Sequence, residues 1–138
     1  MAVNTSGLDD DSGDEEDWIE IQNYGSTPVN LDGWFLTDKT NNLTKWRFPA
    51  TNLTAGAYLV VFASERDRAI PGRELHTNFK LAGEGEYLAL VRPDGVTIAS
   101  QFHPAYPIQA ADVSYGWGRS SAELTLLAET ERVRAFIG

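Results

Sequence analysis

The sequence predicts an all-β domain of the sandwich kind, and three observations predict it. Short β-prone runs recur along the chain with turn residues between them at roughly ten-residue intervals, the rhythm of packed antiparallel sheets. Asp94-Gly95 joins two apolar runs, the strongest short-range hairpin signal in the chain. No internal segment has a helical period, and only Leu124 to Ile137 fits helix and strand about equally.

Taken in order, Trp18-Ile19-Glu20-Ile21-Gln22 alternates and stops at Asn23-Tyr24-Gly25-Ser26. Val29-Asn30-Leu31 runs into the turn Asp32-Gly33, and Trp34-Phe35-Leu36-Thr37 follows. A period of two places Trp34 and Leu36 on one face. Trp46 and Phe48 likewise share a face, with Arg47 opposite and Pro49 ending the run. Tyr58 to Ala63 is continuously apolar, which predicts a strand covered on both sides. His76 to Leu81 reads as a further strand, broken by Gly83 and Gly85. Tyr87 to Val91 and Val96 to Phe102 form the hairpin, and Val113 to Trp117 reads as a late strand.

The chain has 138 residues, 42% of them hydrophobic and 22% charged, which suits one globular domain and argues against disorder. A formal net charge of −9 repels phosphate backbones and anionic membranes, so nucleic acid is disfavoured as a partner. No apolar run approaches the roughly 20 residues that cross a bilayer, so membrane insertion is not expected. Cysteine is absent, which excludes disulfides and thiolate metal sites. Met1 to Gly13 has neither a basic nor an apolar leader region, so the expectation is a piece without its own targeting signal.

Catalytic patterns are missing: there is no Gly-x-Ser-x-Gly elbow, phosphate-cradling loop or His-Glu-x-x-His helix. His76 and His103 each lie beside strand-like sequence, as surface or strand-end histidines do. The sharpest chemical feature is the acidic run Asp9-Asp10-Asp11-Ser12-Gly13-Asp14-Glu15-Glu16-Asp17, whose hard oxygen ligands suit calcium. Asp9, Asp11 and Asp14 are the candidate ligands, although neither register completes a calcium loop: Glu15 or Gly13 falls at the wrong place. The other reading is a solvated acidic lead-in. Among the aromatic residues, Trp34 and Trp46 alternate as core residues do. Trp18 shares a face with Glu20 and is the candidate for exposure, with Phe35 and Tyr106 extending a binding patch, protein-facing or sugar-stacking.

Asp17-Trp18-Ile19-Glu20-Ile21-Gln22-Asn23, then Leu31-Asp32-Gly33-Trp34-Phe35-Leu36-Thr37-Asp38, resembles the lamin tail domain family. The likeness continues through Trp46-Arg47-Phe48-Pro49 and Leu53 to Val61, and the later Asp94-Gly95 and Asp112 to Gly116 make the bacterial-type members the closer match. The resemblance implies an immunoglobulin-like β-sandwich of two antiparallel sheets. It also implies an interaction module, which in bacterial relatives accompanies secreted or surface-attached enzymes. No heptad pattern occurs, so a filament role does not transfer. The expected organisation is an acidic lead-in over residues 1–16, the sandwich over 17–120, and an extension over 121–138. That extension is too apolar for a linker and is expected to dock as added strands. The expected function is a non-catalytic binding or attachment module of a larger extracellular or cell-surface protein. Its partner would be a protein or cell-surface ligand, with a carbohydrate-binding accessory module as the alternative. No cofactor is required on this reading, calcium being the one candidate.

Overall fold

A computed structural model describes residues 1–117 and 133–136. Ten strands carry the fold: β1 (Trp18–Asn23), β2 (Val29–Asn30), β3 (Phe35–Thr37), β4 (Trp46–Arg47), β5 (Asn52–Leu53), β6 (Tyr58–Phe62), β7 (Leu75–His76), β8 (Leu88–Val91), β9 (Ile98–Phe102) and β10 (Val133–Phe136). One four-stranded sheet has the order β10-β1-β6-β7 and the other β4-β3-β8-β9, with β2 and β5 as a separate ribbon. All pairings are antiparallel except β6 with β7, which run parallel. Among the described residues there is no helix.

The alternation read from the sequence sets which side chains enter the core. In β1, Ile19 and Ile21 are fully buried and face the other sheet, while Trp18 and Glu20 face outward and are half-buried. Trp34 and Leu36 are buried, as are Trp46 and Phe48, whose rings meet edge to face at 4.9 Å. Leu88 and Leu90 of β8 complete this inner layer, and Arg47 is exposed. A smaller cluster lies on the outside of the second sheet, where Tyr87, Ala89 and Val91 pack with Phe35, Leu43 and Ile98. The Asp94-Gly95 turn joins β8 to β9, and Gly95 takes the left-handed φ of 74° that such a turn requires.

Several elements differ from the sequence reading. β6 is buried only at Val61 and Phe62, and Tyr58 is exposed. The run expected over His76 to Leu81 is a strand only at Leu75–His76, after which the chain turns to bury Phe79 and Leu81. Val113 to Trp117 forms no strand beyond a single bridge at Tyr115. Val133–Phe136 pairs antiparallel with β1, Phe136 opposite Glu20 and Val133 opposite Asn23. The Leu124 to Leu126 run lies outside the described residues.

Residues 1–16 are built into the domain and do not precede it as a solvated segment. Ala2 belongs to the main core, and Trp18 N donates to Met1 O at 3.0 Å. The Asn4 side chain is buried and donates to Leu8 O and Glu16 O, closing the acidic run into a compact loop. Apolar contact at the start and amide hydrogen bonds at the neck hold the loop against the outer end of the β1-β6-β7 sheet.

Candidate functional site

The acidic loop meets two arginines that project from the segment after β6. Asp10, whose side chain is wholly shielded from solvent, pairs with Arg66, and so does Asp14; Glu16 lies 3.5 Å from the same guanidinium. Arg68 bonds Asp11 at 2.8 Å and lies 3.4 Å from Glu74. Backbone donors finish the loop: Ser12 N and Asp14 N donate to Asp10 Oδ1, and Asp11 N donates to Glu74. Burial pushes the Asp10 carboxyl up, but the Asp14 and Ser12 amides and the Arg66 charge outweigh it and hold Asp10 below the usual range. The Arg68 hydrogen bond does the same for Asp11.

His76 closes the cluster from beneath. It is fully buried, stacked on Phe62 with ring centroids 5.4 Å apart. Arg68 Nη2 is 2.7 Å from His76 Nε2, and a guanidinium can only donate, so Nε2 accepts. The ring proton therefore sits on Nδ1 and is donated to Ser64 Oγ at 2.8 Å. Ser64, His76 and Glu74 look like a catalytic triad on paper, yet the roles are wrong for one. Ser64 accepts a proton where a nucleophile would have to give one up, and Glu74 faces the unprotonated nitrogen. Ser64 is itself buried, so the arrangement is a structural clamp.

Asp10, Asp11, Glu74 and His76 each place one oxygen or nitrogen within 4.8 Å of the others, close enough to surround an ion. Arg68 already stands among them and supplies the positive charge. The expected calcium set of Asp9, Asp11 and Asp14 is not gathered. Asp11 goes to Arg68, Asp14 goes to Arg66, and Asp9 is exposed without an ion pair among the described residues.

The expected aromatic patch is not contiguous either. Trp18 is half-buried on the outside of the first sheet, and Phe35 is half-buried on the outside of the second. Tyr106, expected at the surface, is only 2% exposed: its ring meets Phe102 edge to face at 6.4 Å and its hydroxyl donates to Ala82 O at 2.9 Å. His76 ends β7, as a strand-end histidine does, but is buried there, and His103 is exposed.

Among the described residues, exposed apolar side chains gather elsewhere, on the segment after β9. Ile108, Val113, Tyr115 and Trp117 are all exposed there, the last two at 40% and 45%. Trp117 stacks parallel on Phe102 at 5.4 Å, and Tyr115 leans on the same ring at 5.7 Å. The segment is pinned on both sides. Tyr106 N donates to Glu86 O and Gln109 N to Gly83 O, while the Asp112 carboxylate accepts from the amides and hydroxyls of Thr5 and Ser6. An apolar strip on a fixed backbone is the kind of surface that contacts a partner without rearranging. The sequence signal for it was the Val113-Ser114-Tyr115-Gly116-Trp117 alternation, which gives the spacing but not the side facing solvent.

The fold is thus an immunoglobulin-like sandwich with an ion-paired clamp at one end and an apolar strip beside β9, the form of a binding-type domain. The Lamin Tail Domain family model matches residues 2–103, and the chain belongs to that family. The match contains β1 to β9 and leaves β10 outside. No curated protein and no solved structure matches the chain.

Proposed function

We propose that this domain is a non-catalytic module that attaches a larger, extracellular or cell-surface protein to a protein partner through the strip from Ile108 to Trp117. The family is one of interaction modules and not a known family of enzymes. One observation carries the reading: among the described residues, four of the eight exposed large hydrophobic side chains fall within these ten positions, on a segment braced by Phe102 and Asp112. Exposed aromatic residues that meet a partner are the usual carriers of binding energy. The net charge of −9 favours partners that are neutral or basic at the contact. Immobilised domain should retain a protein from the surface fraction of the producing cells, and Tyr115→Ser with Trp117→Ser should abolish retention while leaving the fold intact. Equal retention by parent and variant would overturn the role of the strip.

A second reading, a carbohydrate-binding accessory module, is favoured by the parallel stack of Trp117 on Phe102, which holds an indole face rigid as sugar stacking needs. Binding on a glycan array that vanishes in Trp117→Ala, with no protein retained, would select it.

A further inference from the structure

A strand at the edge of a sheet leaves a row of amides and carbonyls without ladder partners. Proteins blunt such edges with short strands, bulges, lysine or proline. Three outer edges of the two four-stranded sheets are blunted in this way. β7 has two residues, and Arg68 bridges His76 on its open side. β4 also has two residues and runs on into Phe48 and Pro49. The register of β9 against β8 slips between Ser100 and Ile98. The fourth edge, β1, has none of these devices. It is six residues long, contains neither lysine nor proline, and pairs with β6 in unbroken register from Trp18 opposite Phe62 to Gln22 opposite Tyr58. Its other side is closed by β10, from Glu20 to Asn23.

That cover stands apart from the rest of the sheet along the chain. β1 to β9 lie within the span of the family match, whereas β10 lies beyond it, after residues 118–132. Phe136, Ala135, Arg134 and Val133 sit opposite Glu20, Ile21, Gln22 and Asn23 in an antiparallel ladder. The edge therefore accepts this sequence, and a backbone ladder cannot tell the chain's own strand from the same strand of another copy. Val133–Phe136 carries Arg134 and no acid, which suits an acceptor whose whole chain carries −9.

We propose that the β1 edge is a strand-acceptor site whose second occupant is the C-terminal strand of another copy of this chain. In the exchanged form each copy donates Val133–Phe136 and receives it, so the dimer is closed and two-fold. No ladder pair is lost, because all four are remade between the copies. What opposes exchange is the tether, which presents a strand to its own edge at an effective concentration on the order of millimolar. Exchange belongs to chains crowded to that level, and dilute chain keeps its own β10. Neither β1 nor β10 belongs to the strip from Ile108 to Trp117, so exchange is independent of what the strip binds.

The chain has no cysteine, so single introduced thiols report the contact cleanly. Full-length Gln22→Cys and full-length Arg134→Cys carry thiols at positions opposite each other in the ladder. The two are unfolded together in urea, refolded together at about 1 mM, and oxidised with a glutathione couple. A disulfide-linked heterodimer should form, and its yield should fall about tenfold or more when refolding is done at about 10 μM. Ala135 lies opposite Ile21, on the other face of the ladder. Ala135→Cys in place of Arg134→Cys should therefore give about a tenth of the heterodimer or less. The proposal is overturned if no heterodimer forms at about 1 mM, or if the Ala135→Cys mixture yields as much. Should either first variant not fold, Glu20→Cys with Phe136→Cys is a second opposed pair and decides in its place.

Discussion

Replacing Tyr106 separates a buried support from a surface contact more sharply than any other single change. The side chain is 2% exposed, with its hydroxyl 2.9 Å from Ala82 O and 3.3 Å from Glu86 Oε1. Burial, and then the Glu86 charge, push the phenol far above its ordinary range, so it stays a neutral donor throughout the working pH range. Tyr106→Phe keeps the ring against Phe102 and leaves Ala82 O with the Gly85 amide as donor, so it loses one hydrogen bond, about 0.5–1.5 kcal/mol. Tyr106→Ala also removes the ring, and comparable core truncations cost about 3–5 kcal/mol. Urea unfolding followed by tryptophan fluorescence reads both. With a slope of about 1–3 kcal/mol per molar, the phenylalanine variant should lose on the order of 1 M in midpoint and the alanine variant more. A residue of an exposed patch would change stability by only about 0.5 kcal/mol. An alanine variant within that margin would refute the burial and the bracing of the strip that follows from it.

Trp34→Ala should cost about 3–5 kcal/mol in the same assay, because the ring is buried between the sheets; a variant as stable as the parent would remove Trp34 from the core. Asp10, Asp11, Asp94 and Asp112 are held below the ordinary carboxylate value by their donors. Their contribution is therefore complete above the unfolded value near roughly 3.9 and is lost as pH falls through it towards the depressed folded values. Asp17 and Glu20, raised by burial, act in the opposite sense. Asp112→Asn should lower the midpoint at pH 7, and the gap to the parent should narrow steadily as pH falls below about 4; a constant gap would mean that the charge is not what Thr5 and Ser6 recognise. Millimolar calcium should leave the melting temperature unchanged, since Arg66 and Arg68 already hold Asp14 and Asp11. A rise that disappears when Asp9, Asp11 and Asp14 are neutralised would show calcium displacing the arginines.

The parts of the fold legible in the sequence are those fixed by neighbours along the chain. Trp34 with Leu36, and Trp46 with Phe48, follow from a period of two, and Asp94-Gly95 specifies its own turn. What was illegible depends on residues far apart. Asp10 and Arg66 are separated by 56 positions, and nothing in the acidic run says that its charges are answered from that distance. Tyr106 lies 24 positions from its carbonyl at Ala82, so its burial could not be read from the polar and proline-rich residues around it. Ala2 enters the core ahead of a run that reads as solvated, because composition averages over the short apolar stretch that does the anchoring.

On the proposed function, binding resides in the strip from Ile108 to Trp117 and not at Trp18. The most direct measurement is the affinity of the full chain for the first protein it retains, parent against Trp117→Ala and Trp18→Ala, at matched fold stability. Trp117→Ala should raise Kd at least tenfold, about 1.4 kcal/mol, while Trp18→Ala should leave it unchanged. An unchanged Kd in Trp117→Ala, or a loss confined to Trp18→Ala, would contradict it.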